Sequence, residues 1–159
     1  MKKIIYIAFA LLVATNCSAQ IESAAKSVFS LTTFKKDGTL LASTHGVFVG
    51  DKGEAISSWK PFVGADSAVV IDANGKQSVV SALIGANELY NVCKFKVDGN
   101  TQPASVATAA SKKGEKVWIL QYSVNKPQIE QRNVQSVEPF MEKYAYYLFS
   151  SNIDESADG

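Results

Sequence analysis

Histidine and cysteine are scarce in this 159-residue sequence, which contains one histidine and two cysteines. A structural zinc site takes four Cys or His ligands and a catalytic zinc about three, so either would need carboxylate ligands as well. We therefore expect no metal and no other cofactor. A Ser-His-Asp triad would have to use His45 as its base.

An excess of positive charge is also lacking, because 16 Lys and Arg residues face 15 Asp and Glu residues. Nucleic-acid-binding proteins usually carry a basic excess on one face, so we expect no nucleic-acid partner. A hydrophobic content of 47% with 19% charged residues excludes a disordered chain and supports one folded core.

The first nineteen residues have the layout of a secretory signal peptide. Lys2 and Lys3 precede the apolar run Ile4–Ala14, and the small-residue site Cys17-Ser18-Ala19 follows. The apolar run is well short of the ~20 residues that span a bilayer, so we expect no membrane span. We predict cleavage after Ala19 and a secreted, periplasmic or cell-envelope location. A membrane anchor and a lipoprotein lipidated at Cys17 are the alternatives.

Cleavage there would leave 140 residues with 14 basic and 15 acidic side chains, and Cys93 as the single thiol. An internal disulfide would then be impossible, although an exported protein meets conditions that favour one. Alternation in Val92–Val97 places Cys93 on the same side as Phe95 and Val97. We expect a buried structural thiol rather than a reactive one.

From Val28 onward, short β-branched or aromatic runs alternate with turn signals such as Asp37-Gly38 and Asn74-Gly75. No window between Val28 and Val97 carries a helical period, which disfavours the crossover helices of a parallel sheet. The sequence predicts an all-β domain of antiparallel strands closed into a small barrel or sandwich. The predicted strands in this part are Val28–Phe34, Thr39–Ala42, Gly46–Val49, Glu54–Ser58, Ser67–Ile71, Gln77–Ile84 and Val92–Val97.

Residues 98–112 contain Pro103 and many Ala, Ser and Thr residues, and we interpret them as a linker. Strands are predicted to resume at Glu115–Tyr122, Gln128–Val137 and Tyr144–Phe149. The expected organisation is a signal peptide over 1–19, a β-barrel over 20–97, the linker, and a partial second barrel over 113–159.

Four segments carry a resemblance to a known family. Thr44-His45-Gly46-Val47-Phe48-Val49 resembles a strand written G-S-G-F-V, and Gly53–Ala65 is similar to G-Y-I-V-T-N-x-H-V-V-x-G-A. Asn91–Val97 is similar to D-L-A-V-L-K-V, and Ile153–Gly159 lies where I-N-P-G-N-S-G is found. These are segments of the trypsin-like serine peptidases of the HtrA type, which are secreted double β-barrel enzymes. The resemblance runs from about Ala25 to Gly159, and it implies a trypsin-like double antiparallel β-barrel whose second barrel is incomplete.

The resemblance also identifies the positions of the family's catalytic triad. It places Lys60 where the family has histidine, Asn91 where it has aspartate, and Asp158 where it has the serine nucleophile. Triad chemistry requires a hydroxyl nucleophile, an imidazole base and an orienting carboxylate. A carboxylate at position 158 would also repel the negative charge that develops during acyl transfer. We therefore expect Lys60, Asn91 and Asp158 to be non-functional as a triad.

The sequence thus predicts a peptidase-fold domain without peptidase activity, which binds peptides or unfolded envelope proteins or acts as a scaffold. One alternative is an active serine endopeptidase with Ser156 as its nucleophile, and another is a purely structural β-domain fragment. We expect Trp59 and Phe62 to pack in the barrel core, with an aromatic-lined peptide pocket as the alternative. His45 is expected to be structural or exposed rather than catalytic. The sequence leaves the oligomeric state open.

Overall fold

The computed structural model describes residues 20–123, 126–140 and 144–150. Within them, residues 20–25 are helical, a short 3₁₀ helix spans Lys60–Phe62, and nine β-strands follow the order of the chain. The strands are β1 Val28–Phe34, β2 Leu40–Phe48, β3 Glu54–Ser57, β4 Ser67–Asp72, β5 Gln77–Asn87, β6 Val92–Val97, β7 Lys116–Ser123, β8 Lys126–Phe140 and β9 Tyr144–Phe149.

Strands β1 to β6 form a closed barrel in the order β1-β2-β3-β6-β5-β4. All neighbouring strands in it are antiparallel, and β4 closes the barrel by pairing with β1 from Phe29↔Asp72 to Phe34↔Ser67. The expected all-β class and antiparallel barrel are confirmed. Closure leaves no free strand edge in this part of the chain.

Strand β2 is longer than the sequence predicted. Thr39–Ala42 and Gly46–Val49 were expected to form two separate strands, but Leu40–Phe48 is continuous. The polar residues Ser43-Thr44-His45 between the two apolar runs pair with Thr32, Leu31 and Ser30 of β1. Their backbone groups are satisfied by this ladder, so the polar side chains do not interrupt the strand.

The barrel core is apolar and aromatic. Phe29 contacts Phe48, with ring centroids 4.5 Å apart, and meets Phe95 edge-on at 6.0 Å. Edge-to-face aromatic contacts of this kind stabilise a core beyond the burial of surface alone. The buried cluster consists of Phe29, Leu31, Phe48, Ala55, Ala68, Val70, Cys93, Phe95 and Val97.

Strands β7, β8 and β9 form a separate antiparallel sheet in that order, and these are the strands of the second half that the structure describes. Val134 of β8 is buried. Between the barrel and this sheet, residues 98–115 contain no helix or strand. The beginning of this segment is nevertheless attached to the barrel, because Thr101 Oγ1 donates to the carbonyl oxygen of Gly50 at 2.6 Å and Ala104 N–H donates to that of Phe48 at 2.8 Å.

A membrane-spanning helix would need a long apolar stretch, and none of the helical segments among the described residues has the required length and hydropathy.

Candidate functional site

Lys60 and Asn91 lie side by side at one end of the barrel. The backbone N–H of Lys60 donates to Asn91 Oδ1 at 2.8 Å, and the N–H of Trp59 donates to the backbone carbonyl of Asn91 at 3.2 Å. These bonds tie the 3₁₀ helix after β3 to the residue that precedes β6. The two positions that the resemblance assigns to the base and its orienting carboxylate are therefore neighbours, while the Lys60 side chain is exposed.

A turn before β6 fixes the position of Asn91. Its N–H donates to the carbonyl oxygen of Glu88 at 3.2 Å, and the N–H of Tyr90 donates to Asn87 Oδ1 at 3.2 Å. Asn91 has φ +50°, in the left-handed region, where asparagine is better tolerated than most residues. This conformation directs the chain into β6 and leaves the Asn91 amide oxygen bound to the 3₁₀ helix.

Trp59 and Phe62, on either side of Lys60, pack against the barrel core. Their rings are stacked at 6.5 Å, and the ring of Phe62 lies 5.2 Å from that of Phe95. Trp59 and Phe62 are partly buried and lie against the core cluster, which agrees with the expected core packing in part. They anchor the 3₁₀ helix on the barrel and so help to hold Lys60 beside Asn91.

His45, the single imidazole of the sequence, lies on β2 and lines a cavity of about 370 Å³ together with Ser57 and Asn91. The Ser57 hydroxyl donates to the backbone carbonyl of His45 rather than to its ring, and Ser57 is only 4% exposed. His45 and Ser57 are therefore close in space, but the hydroxyl is committed to the backbone. The same cavity is lined by Tyr90 and by Leu120 of β7, which the sequence did not single out.

Cys93 is buried on β6, as expected, with 2% of its surface exposed. Its thiol lies 3.5 Å from the carbonyl oxygen of Ser57 and 3.4 Å from that of Ser58. Burial raises the pKa of Cys93 from 9.0 to about 11.

We expect slow alkylation of Cys93 by iodoacetamide at pH 8. A pKa increase of two units lowers the thiolate fraction about 100-fold, and the greater nucleophilicity of a more basic thiolate recovers roughly tenfold. Alkylation should therefore be at least about tenfold slower than in the urea-unfolded chain, and its rate should keep rising until about pH 11. Mass spectrometry of the Cys93 peptide measures this rate. Equal rates in the folded and unfolded chains, or a plateau near pH 9, would contradict the prediction.

Asp158, the third triad-equivalent position, and Ser156, the alternative nucleophile, lie outside the described residues, as do the predicted signal peptide and Cys17. Within residues 20–123, 126–140 and 144–150, no three His, Cys, Asp or Glu side chains come together as metal ligands would.

Comparison with known proteins identifies solved structures with a similar fold. No family model and no curated protein matches the sequence. Among solved structures, a serine endoprotease from Yersinia pestis superposes with a TM-score of 0.65 at 19% identity, covering 74% of this chain and 43% of that one. The HtrA-type protease AlgW, solved with a tripeptide, superposes with a TM-score of 0.67 at 15% identity, covering 80% of this chain and 44% of that one.

This chain spans less than half the length of either protease. At these identities the likeness shows the fold, which is the all-β fold of trypsin-like serine proteases.

Proposed function

We propose that this chain is a secreted or envelope peptidase-fold domain that binds peptides or unfolded polypeptides without cleaving them. The observation that carries the proposal is the 2.8 Å hydrogen bond from Lys60 N–H to Asn91 Oδ1. It supports the assignment of Lys60 to the position of the base and of Asn91 to the position of the carboxylate. A lysine and an asparagine amide then stand where the triad has an imidazole and a carboxylate.

Lys60 is a poor replacement for an imidazole base. A lysine accepts a proton only in its neutral form, which enzymes favour by burying the amine or by placing another cation beside it. Lys60 is exposed, and its environment provides no such burial. An amide at position 91 could orient a base through its oxygen, but Asn91 Oδ1 accepts from the backbone of residue 60. Lys60 and Asn91 are therefore better suited to stabilising this end of the barrel and to forming a binding surface than to transferring a proton.

His45 offers no replacement for the missing base. The hydroxyl of Ser57, which lines the same cavity as His45, is buried and donates to the His45 backbone. Attack on a peptide carbonyl requires an accessible hydroxyl that donates to the imidazole itself. Asp158 adds a further argument from the sequence, since a carboxylate at the nucleophile position would oppose the developing oxyanion.

Peptides are the partner class that the fold favours. Both of the solved structures compared above are proteases, and the structure of AlgW includes a tripeptide. A peptidase fold that has lost its triad can retain affinity for polypeptide chains, because binding and bond cleavage depend on different groups.

Two measurements on the purified chain test the proposal. A fluorophosphonate probe, which labels activated serines, should give no covalent adduct under conditions that label trypsin completely. Fluorescence anisotropy with dye-labelled, reduced and carboxymethylated α-lactalbumin, a permanently unfolded polypeptide, should show saturable binding. A fluorophosphonate adduct on any serine, Ser156 above all, would contradict the absence of catalysis. Anisotropy that does not rise would contradict the binding role.

Export is proposed from the sequence of residues 1–19. N-terminal sequencing of the protein recovered from the cell envelope or medium should begin at Gln20. A lipid-modified Cys17 would favour the lipoprotein alternative, and retention of Met1 in the cytoplasm would contradict export.

A further inference from the structure

Two cavities on the outer face of the barrel share a wall. The larger, of about 370 Å³, lies between the barrel and Leu120 of the second sheet, and its barrel wall includes Val47 and Ile56. The smaller, of about 220 Å³, is lined by Gly85 and Ala86 of β5 and by residues of β6. Ile56 and Val92 line both cavities, so the two lie next to each other across β3 and β6.

The two cavities differ in chemistry. In the larger one, five of the ten lining residues are aliphatic, while His45, Ser57, Tyr90 and Asn91 supply polar groups. Its volume lies within the range of about 300–1,000 Å³ that small-ligand sites occupy. A cavity with an apolar body and a polar side fits an aromatic side chain that has a polar atom or an adjoining peptide group.

The smaller cavity, of about 220 Å³, is almost wholly apolar, and Gly85 contributes no side chain to its lining. It suits a small aliphatic side chain. Lys94 lies on its lining, and none of the described residues that line either cavity is an acid. No carboxylate in these linings balances the charge of Lys94. A ligand that carries an acidic group beyond its aliphatic group would therefore complement the charge of Lys94.

An extended peptide can place side chains in two adjoining cavities. Its side chains alternate, so residues i and i+2 point to the same side about 6.5 Å apart. We infer that the paired cavities bind an extended peptide with an aromatic residue in the larger cavity, a small aliphatic residue two positions later in the smaller one, and an acidic residue two positions after that, beside Lys94. This inference rests on the proposed function and identifies the class of peptide that it would recognise.

Binding of two dye-labelled octapeptides to the full chain tests the inference. The first, Gly-Ser-Trp-Ser-Val-Ser-Glu-Gly, has the aromatic, aliphatic and acidic residues at i, i+2 and i+4, so that all three point to the same side. The second, Gly-Ser-Ser-Trp-Val-Ser-Glu-Gly, has the same composition with the aromatic and aliphatic residues adjacent, so that these two point to opposite sides. We expect the first to bind at least about tenfold more tightly, a ratio typical of filling one additional apolar pocket.

Matched variants locate the binding site. Val92→Asn alters the shared wall and should weaken binding of the first peptide about tenfold, whereas Val79→Asn, on an exposed position of β5 outside both linings, should not. Lys94→Gln should weaken binding severalfold, and Lys96→Gln, one exposed position further along β6, should leave it unchanged. Circular dichroism checks that each variant is folded, and the peptide comparison on the unmodified chain does not depend on any variant.

The outcomes separate this inference from the proposed function. Preference for the first peptide, with weaker binding in Val92→Asn and Lys94→Gln but not in Val79→Asn or Lys96→Gln, supports the inference. If the chain binds unfolded α-lactalbumin but does not distinguish the two octapeptides, or if folded Val92→Asn binds like Val79→Asn, the inference is overturned and the proposed function stands. If the chain binds neither unfolded α-lactalbumin nor either octapeptide, both are overturned.

Discussion

Replacement of Gly46 by alanine is expected to destabilise the barrel by about 3 kcal/mol, the upper part of the usual range for overpacking a core. A Cβ atom at this position would lie 2.6 Å from the backbone carbonyl oxygen of Ile56 and closer still to the ring of Phe29. Neither neighbour can move away easily. The Ile56 backbone is paired with β2 at Val47, and the fully buried Phe29 is held by Phe48 and Phe95.

Gly85→Ala is the matched control for this substitution. Gly85 also lies in a barrel strand, but no atom comes within 4 Å of the Cβ that alanine would add. Its replacement should change stability by no more than about 1 kcal/mol, because only the backbone preference of glycine changes. Urea denaturation followed by tryptophan fluorescence gives both values. A free energy of unfolding for Gly46→Ala within 0.5 kcal/mol of the unmodified chain, roughly the size of a neutral surface change, would contradict the clash.

The strands of the barrel were largely predictable because turns and alternation agree in this part of the sequence. β1 and β6 begin and end at the predicted residues, Val28–Phe34 and Val92–Val97. In β6 the burial alternates strictly, with Cys93, Phe95 and Val97 inside. The turn predicted at Asp37-Gly38 is also present, and Gly38 adopts the positive φ, +80°, that glycine accommodates in such turns.

The sequence was less informative where tertiary pairing decides the structure. β2 has a polar middle that looks like a break, and only its pairing with β1 keeps it extended. The reason for glycine at position 46 was also hidden, because it depends on a ring seventeen residues earlier in the chain. Burial on β5 could not be predicted from its composition, since Leu83 and Ile84 are about half exposed in the closed barrel.

The candidate site was predictable only in part. Resemblance to a peptidase motif identified Lys60 and Asn91, which are 31 positions apart in the sequence and adjacent in the structure. No local pattern could have shown that His45, Tyr90 and Leu120 line one cavity, because they come from β2, a turn and the second sheet. Such a cavity depends on how the barrel and the sheet are placed, whereas a motif reports residues that are close along the chain.

Asn91→Ala should cost about 2 kcal/mol of stability, because two separate contributions are lost. The first is the hydrogen bond that Asn91 Oδ1 accepts from Lys60 N–H at 2.8 Å, worth about 1 kcal/mol. The second is conformational. Alanine has no polar side chain to stabilise the left-handed backbone at φ +50°, which costs roughly 1 kcal/mol more. Urea denaturation measures the sum.

Two further replacements at position 91 separate these contributions. Asn91→Gly accepts the left-handed backbone but loses the hydrogen bond, so about 1 kcal/mol should be lost. Asn91→Asp keeps an acceptor oxygen and tolerates the same conformation, so its stability should stay within about 0.5 kcal/mol of the original. The aspartate variant also restores the acid that the peptidase resemblance expects at this position. If it remains stable and gains no fluorophosphonate labelling, the carboxylate alone does not restore catalysis. Equal losses in the alanine and aspartate variants would instead show that the contact with Lys60 does not stabilise this end of the barrel.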